Sequence, residues 1–142
     1  MSGATEALQL ALAAEHATIW GYGIVGALVP PAEQPLARAA DVAHRARRDR
    51  LTMALAARTP SPTPAAPSYE LPFAVTDAAS AHRLAVHLEE RLAAVWRAAL
   101  GSVTDLPDRQ LAMSALVDAA TRAVQWRQRV PGAAVTVAFP GV

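Results

Sequence analysis

Few residues in this 142-residue chain combine the type and the placement that chemistry needs, and they gather around Glu15. It sits in Ala14-Glu15-His16-Ala17-Thr18-Ile19-Trp20-Gly21-Tyr22-Gly23. Leu8, Leu12, Glu15, Ile19, Tyr22 and Gly26 follow one another by fours and threes, the spacing of one stripe on a helix. That stripe is expected to face the core, with the carboxylate at its centre. A carboxylate in a helical interior is costly unless a metal ion, an arginine or a proton neutralises it. Partners are sought in Asp41-Val42-Ala43-His44 and the arginines after it, Arg45, Arg47, Arg48 and Arg50. Ala37, Asp41, His44, Arg48, Leu51 and Leu55 form a four-three stripe, so Asp41, His44 and Arg48 can share a face. A competing stripe through Leu36, Ala39, Ala43, Ala46 and Met53 is almost entirely small and apolar, and periodicity does not decide which one meets Glu15. The expected arrangement is a buried polar cluster of Glu15, Tyr22, His44 and Arg48, in which Arg48, or His44 with Tyr22, holds the carboxylate.

Other signals are weaker. Gly21-Tyr22-Gly23-Ile24-Val25-Gly26 is a literal GxGxxG, but the dinucleotide reading requires a strand before it and a helix beginning at it. Here the glycines fall late in a helix that is about to end, so close helix packing is the expected role. The arginines from Arg45 to Arg50 spread around their helix and are interrupted by Asp49, as in a solvated face with i,i+4 ion pairs. His82 and His87 lie five residues apart, on different sides of a helix, and do not form a metal pair. No Ser-His-Asp arrangement can be supported.

Composition narrows the classes further. Cysteine is absent, which excludes disulfides, thiolate zinc sites and cysteine nucleophiles from this chain. All 13 basic residues are arginine, so no P-loop or Schiff-base lysine exists here either. A net charge of +1 argues against a nucleic-acid binder. The apolar run from Ile19 to Val29 is too short to span a bilayer and stops at Pro30-Pro31. No basic region precedes an apolar run at the N-terminus, so a cytoplasmic protein without a secretory signal is expected.

The elements that must position these residues are helices. At this length a single domain, 1–142, is expected. The spacing predicts helices over about 3–28, 33–58, 78–100 and 106–129. Ser2 caps the first, Thr76 or Asp77 the third, and Pro107 enters the first turn of the fourth. The third helix presents Ala81, Leu84, Ala85, Leu88, Leu92, Val95 and Ala99, with Glu89 and Trp96 flanking on one side and His87 on the other. The fourth presents Leu106, Gln110, Met113, Val117, Ala120 and Val124, with Asp118 well off that stripe. Residues 59–76 hold Pro60, Pro62, Pro64, Pro67 and Pro72 and cannot be helical. Extended at roughly 3.1 Å per residue they reach about 55 Å. A helix of about 25 residues is only some 37 Å long. The segment can therefore travel the whole bundle and start the third helix parallel to the second. The apolar tail Ala134–Pro140 is expected to lie across the bundle or a neighbouring subunit.

Two helical hairpins joined by one long crossover describe the ferritin-like member of the four-helix bundles. The chain resembles the ferritin-like superfamily, and in particular an actinobacterial domain of unknown function, DUF4439. The residues that carry the likeness are Ala14-Glu15-His16 with Tyr22-Gly23, Ala43-His44-Arg45-Ala46-Arg47-Arg48-Asp49, Leu71-Pro72-Phe73, Val75-Thr76-Asp77, Leu88-Glu89-Glu90-Arg91-Leu92 and Ala138-Phe139-Pro140-Gly141. The superfamily implies a di-metal site, with a glutamate from each of two helices and Glu-x-x-His from each of the other two. By position Glu15 matches the first, Asp41-x-x-His44 is a shortened version of the second, and Glu89 is the nearest match in the third helix. The fourth helix fails, since Asp118 is followed three residues later by Thr121. Glu15, Asp41, His44 and Glu89 are thus the fallback metal ligands. No cofactor is expected, with iron or another divalent metal as the alternative.

The function expected is a non-catalytic binding or interaction module, a homodimer with an unknown protein or small-molecule partner and no membrane or nucleic-acid contact. Its di-metal site would have degenerated. The alternative is a metal-dependent oxidase or hydroxylase of the ferritin-like type. A third reading, an apolar small-molecule carrier, requires a cavity.

Overall fold

Caps and prolines delimit four long helices among residues 2–142, the residues described by the structure, which is a computed structural model. α1 spans Gly3–Leu28; the Ser2 side chain accepts from the Thr5 backbone N–H at 3.2 Å, and Pro30 follows its end. A short 3-10 turn, Pro31–Glu33, leads into α2, Gln34–Ala56. α3, Ala78–Leu100, opens on a reciprocal capping box between Asp77 and Ser80. α4, Leu106–Arg127, has Pro107 in its first turn. The chain is an all-α four-helix bundle.

Two core clusters set the helix directions. In one, Leu8 and Leu12 of α1 meet Leu51 and Leu55 of α2, Leu92 and Trp96 of α3, and Leu111 and Ala115 of α4. In the other, Tyr22 and Val25 meet Ala37 and Ala40, Leu84 and Ala85, and Trp126. Residue numbers rise from the first cluster to the second along α1 and α4 and fall along α2 and α3. α2 and α3 are therefore parallel, as a long proline-rich crossover permits and a short turn does not. The crossover runs along α1: Gln9 bonds Ser61 O and the Thr63 N–H at 2.9 and 2.7 Å, and the Trp20 and Tyr69 rings lie 5.8 Å apart. Leu71 and Val75 then pack onto the second cluster.

Three helix faces differ from the expectation. α4 buries Leu111, Ala112, Ala115, Ala119, Ala123 and Trp126, while Leu106, Met113 and Val117 are exposed. The reason is close packing: α3 and α4 approach through alanines, and small side chains permit the shorter interaxial distance. On α3, Glu89 and Trp96 do not flank the core but are fully buried in it. On α1, Ile19 and Gly26 are half-buried, and Thr18 and Val25 occupy the core line instead.

Glycine has a packing role at two positions. A Cβ on Gly21 would come within 2.6 Å of Leu88 Cδ1, so the first glycine of the GxGxxG string lets α1 approach α3; Gly23 and Gly26 face open space. In the tail, Gly141 has φ 85° and a Cβ there would meet Ala93 O at 2.6 Å. The tail lies across its own α3–α4 hairpin, where Arg97 donates to Pro140 O at 3.3 Å. Among the described residues, no helix is long and apolar enough to cross a membrane.

Candidate functional site

Three helices each send one ionisable side chain to the dry centre of the bundle: Glu15 from α1, His44 from α2 and Glu89 from α3, at 0%, 2% and 0% exposure. Their stripes place them there. Glu15 continues the line of Leu8 and Leu12, His44 that of Ala37 and Leu51, and Glu89 that of Ala85 and Leu92. The second stripe considered for α2 is the outer one, with Met53 75% exposed.

The imidazole of His44 bridges the two carboxylates. Nδ1 is 2.8 Å from Glu15 Oε2, and Nε2 is 2.7 Å from Glu89 Oε1. A carboxylate only accepts, so both ring nitrogens donate and the ring is an imidazolium. Burial alone would lower its pKa, but the hydrogen bonds it donates to Glu15 and Glu89, and then their charges, outweigh that cost and raise it to about 9. Neutral donors extend the network at both ends. Trp96 Nε1 donates to Glu15 Oε1 at 3.2 Å, the Tyr22 hydroxyl donates to Glu89 Oε1 at 2.6 Å, and Trp126 Nε1 donates to the Tyr22 oxygen at 3.0 Å. Burial, and then the charge of Glu89, hold the Tyr22 phenol well above its ordinary pKa, so it keeps its proton. The Tyr22 and His44 rings stack at 5.5 Å and 26°. One polar atom is left over, since Glu89 Oε2 is buried without a hydrogen-bond partner.

Of the cluster expected from the sequence, Glu15, Tyr22 and His44 come together here and Arg48 does not. Arg48 turns outward to Asp49 at 2.9 Å: four residues past His44 it lies about 40° round the helix, on the flank it shares with Asp41, while Leu51 returns to the core line. Asp41, a fallback ligand, is likewise turned out and pairs with Arg45 at 2.8 Å. Arg48 was one of the two expected partners of Glu15; His44 with its neighbours takes that part, and Glu89 joins as a second acid on the far side of the imidazole. The signal for it was present: Ala85, Glu89, Leu92 and Trp96 are themselves a four-three-four stripe. The two tryptophans as donors were missed as well, although a buried indole N–H needs an acceptor.

The donor set does not fit the di-metal centre that the ferritin-like resemblance implies. Two metal ions need several carboxylates from four helices. Here the centre has two, both engaged by His44, and α4 contributes only the Trp126 indole. The acids of α4 are spent on arginines, Asp108 on Arg58 and Asp118 on Arg47. Among the described residues, no group of three or more His, Asp and Glu is arranged to hold a metal ion. The imidazolium supplies between the carboxylates the positive charge that a cation would otherwise bring.

A conserved hypothetical protein, rv2844, from Mycobacterium tuberculosis has a similar crystal structure, with a TM-score of 0.88 and 43% sequence identity over 90% of this chain and 97% of that chain. No curated protein matches. The family model for a domain of unknown function, DUF4439, matches residues 7–142. That span is nearly the whole chain and contains Glu15, His44 and Glu89, so this protein belongs to the DUF4439 family of domains of unknown function.

Proposed function

We propose that this bundle is a non-catalytic binding or interaction module of ferritin-like descent, in which a buried ionic cluster around His44 stands where a di-metal centre once was. The descent is supported by the connectivity, two helical hairpins joined by one long crossover. The loss of metal chemistry is supported chiefly by His44, whose two nitrogens are both committed to carboxylates. A neutral imidazole with a free lone pair is what a metal requires. A buried ionic core of this kind acts more through the helix alignment it selects than through net stability. The module works as a homodimer in this reading, with Leu106, Met113 and Val117 on the exposed face of α4 as the apolar surface to be covered. A light-scattering mass of one chain would count against the dimer.

One observation favours the alternative of a metal-dependent oxidase or hydroxylase. Glu89 Oε2 is buried and unpartnered, as a ligand awaiting a cation would be. Elemental analysis separates the readings, on protein purified without chelator and incubated anaerobically with ferrous iron. Metal below a tenth of an equivalent per chain supports the module. Two equivalents, lost in both Glu15→Ala and His44→Ala, would overturn it.

A further inference from the structure

Between α1 and α3 runs a trough of about 800 Å³, bounded at one end by the crossover residues Tyr69 and Leu71. Its α1 wall extends from Gly3 to Gly21, which at 1.5 Å per residue is about 27 Å. Ala7, Ala13, Ala14 and Ala17 on α1 and Ala98 and Ala99 on α3 line it, so its walls are low and apolar. Volume over length gives a cross-section of about 30 Å² for the path open to the centre of a water molecule, and a water radius added on each side makes the trough about 9 Å wide. That is narrower than a helix with its side chains, about 10–12 Å. It accommodates an extended hydrocarbon chain.

The trough also holds a cation. Arg91 and His87 are one turn apart on the same face of α3, and both line the trough. The neighbouring Glu90 is taken by Arg127, and Arg91 has no ion pair among the described residues. From Arg91 the trough continues toward Ser102 for about 17 Å. Arg91 and the other charged residues of the lining, Glu6 near the end at Gly3 and Glu70 on the crossover, are all exposed to water. A guanidinium matches a carboxylate geometrically through its planar fork. One guanidinium suits a single negative charge better than the double charge of a phosphate.

We infer that the trough binds a long-chain carboxylic acid, its carboxylate held by Arg91 and His87 and its chain laid along the alanines toward Ser102. This rests on the binding-module reading above and names its ligand class. The closed end of the trough also holds Trp20, whose fluorescence reports occupancy.

The test is calorimetric titration of the full chain with laurate and, as the uncharged control, dodecanol. Laurate binds one per chain, with dodecanol at least tenfold weaker. Arg91→Ala lowers laurate affinity about tenfold and leaves dodecanol unchanged. Ala17→Trp, which fills the trough, abolishes both while the helical circular dichroism persists; should that variant unfold, Ala98→Trp on the exposed rim of α3 replaces it. Folded wild-type protein that binds neither compound overturns the inference, and so does equal affinity for the two with no effect of Arg91→Ala. A light-scattering mass of two chains that falls to one in Ala17→Trp gives the trough to a second copy and also overturns it. Failure of laurate binding in metal-free protein leaves the module reading standing with another partner. Two metals per chain remove that reading whatever laurate does.

Discussion

α2 is fastened to its neighbours in two ways that differ in how much water they meet. At the centre, His44 joins Glu15 and Glu89 with all three side chains at 2% exposure or less. Along the seam with α4, Arg58 grips Asp108 through two hydrogen bonds of 2.7 and 2.6 Å, and Arg47 reaches Asp118 at 2.7 Å. Each seam pair keeps one member in water: the Arg58 side chain is 27% exposed and Asp118 43%. The charges are alike, but the penalty for losing a partner is not. Water can solvate an abandoned seam charge, whereas the centre offers nothing to replace a missing ion. The centre therefore decides how three helices align, while the seam adds little to a fourth helix already packed against α3.

The comparison can be broken most directly at His44. His44→Ala leaves two buried carboxylates facing each other and is expected to cost about 3–5 kcal/mol, read as a drop in the midpoint of urea unfolding. A loss below about 1 kcal/mol would put the centre on the same footing as the seam.

Proton linkage sharpens the contrast without a mutation. The folded pKa of His44, about 9, lies above the ordinary histidine value of 6.5. The stability it contributes is therefore complete below pH 6.5 and is lost as pH rises through 9. Unfolding free energy should fall across that window with a slope approaching about 1.4 kcal/mol per pH unit. His44→Gln should flatten the slope; an unchanged slope in that variant would assign the effect elsewhere.

The seam gives smaller numbers. Arg58→Ala strips a nearly buried Asp108 of both hydrogen bonds, and about 1.5 kcal/mol is expected. Arg48→Ala should change stability by less than about 0.5 kcal/mol, because its pair with Asp49 is exposed. If thermal melts show Arg48→Ala to be as damaging as His44→Ala, the placement of Arg48 outside the centre is wrong.

Much of the centre was legible before the fold was known. Glu15 and His44 sit on stripes whose other members are leucine and alanine, and a polar residue in such a line is conspicuous. Glu89 was harder to read because Glu90 follows it and the alanines of α3 blur the edge of its apolar face. α4 misled for a related reason. Met113 and Val117 are exposed although larger than alanine, while Ala112, Ala115, Ala119 and Ala123 are buried with Leu111 and Trp126, because a close helix pair selects small residues along its contact. Hydrophobic size marks the buried face only where the neighbouring helix stands far enough away to accept it. Arg48 illustrates the converse: it sits on the flank of a stripe whose Leu51 and Leu55 are buried, and from there a long basic side chain reaches water.

Helix ends were legible in the sequence to within two residues, the second helix expected over 33–58 and found over 34–56 and the fourth expected over 106–129 and found over 106–127, because caps, prolines and glycines act over a few residues. The sequence by itself also determined that α2 and α3 run parallel, because only a crossover as long as residues 57–77 can return the chain to the starting end of the bundle. The tertiary structure alone decided which alanine face of α4 meets α3, which acid completes the pair around His44, and where the crossover leaves a trough. Those outcomes depend on distances between helices, and a distance between helices is set by every side chain in the contact at once, not by the spacing along any one of them.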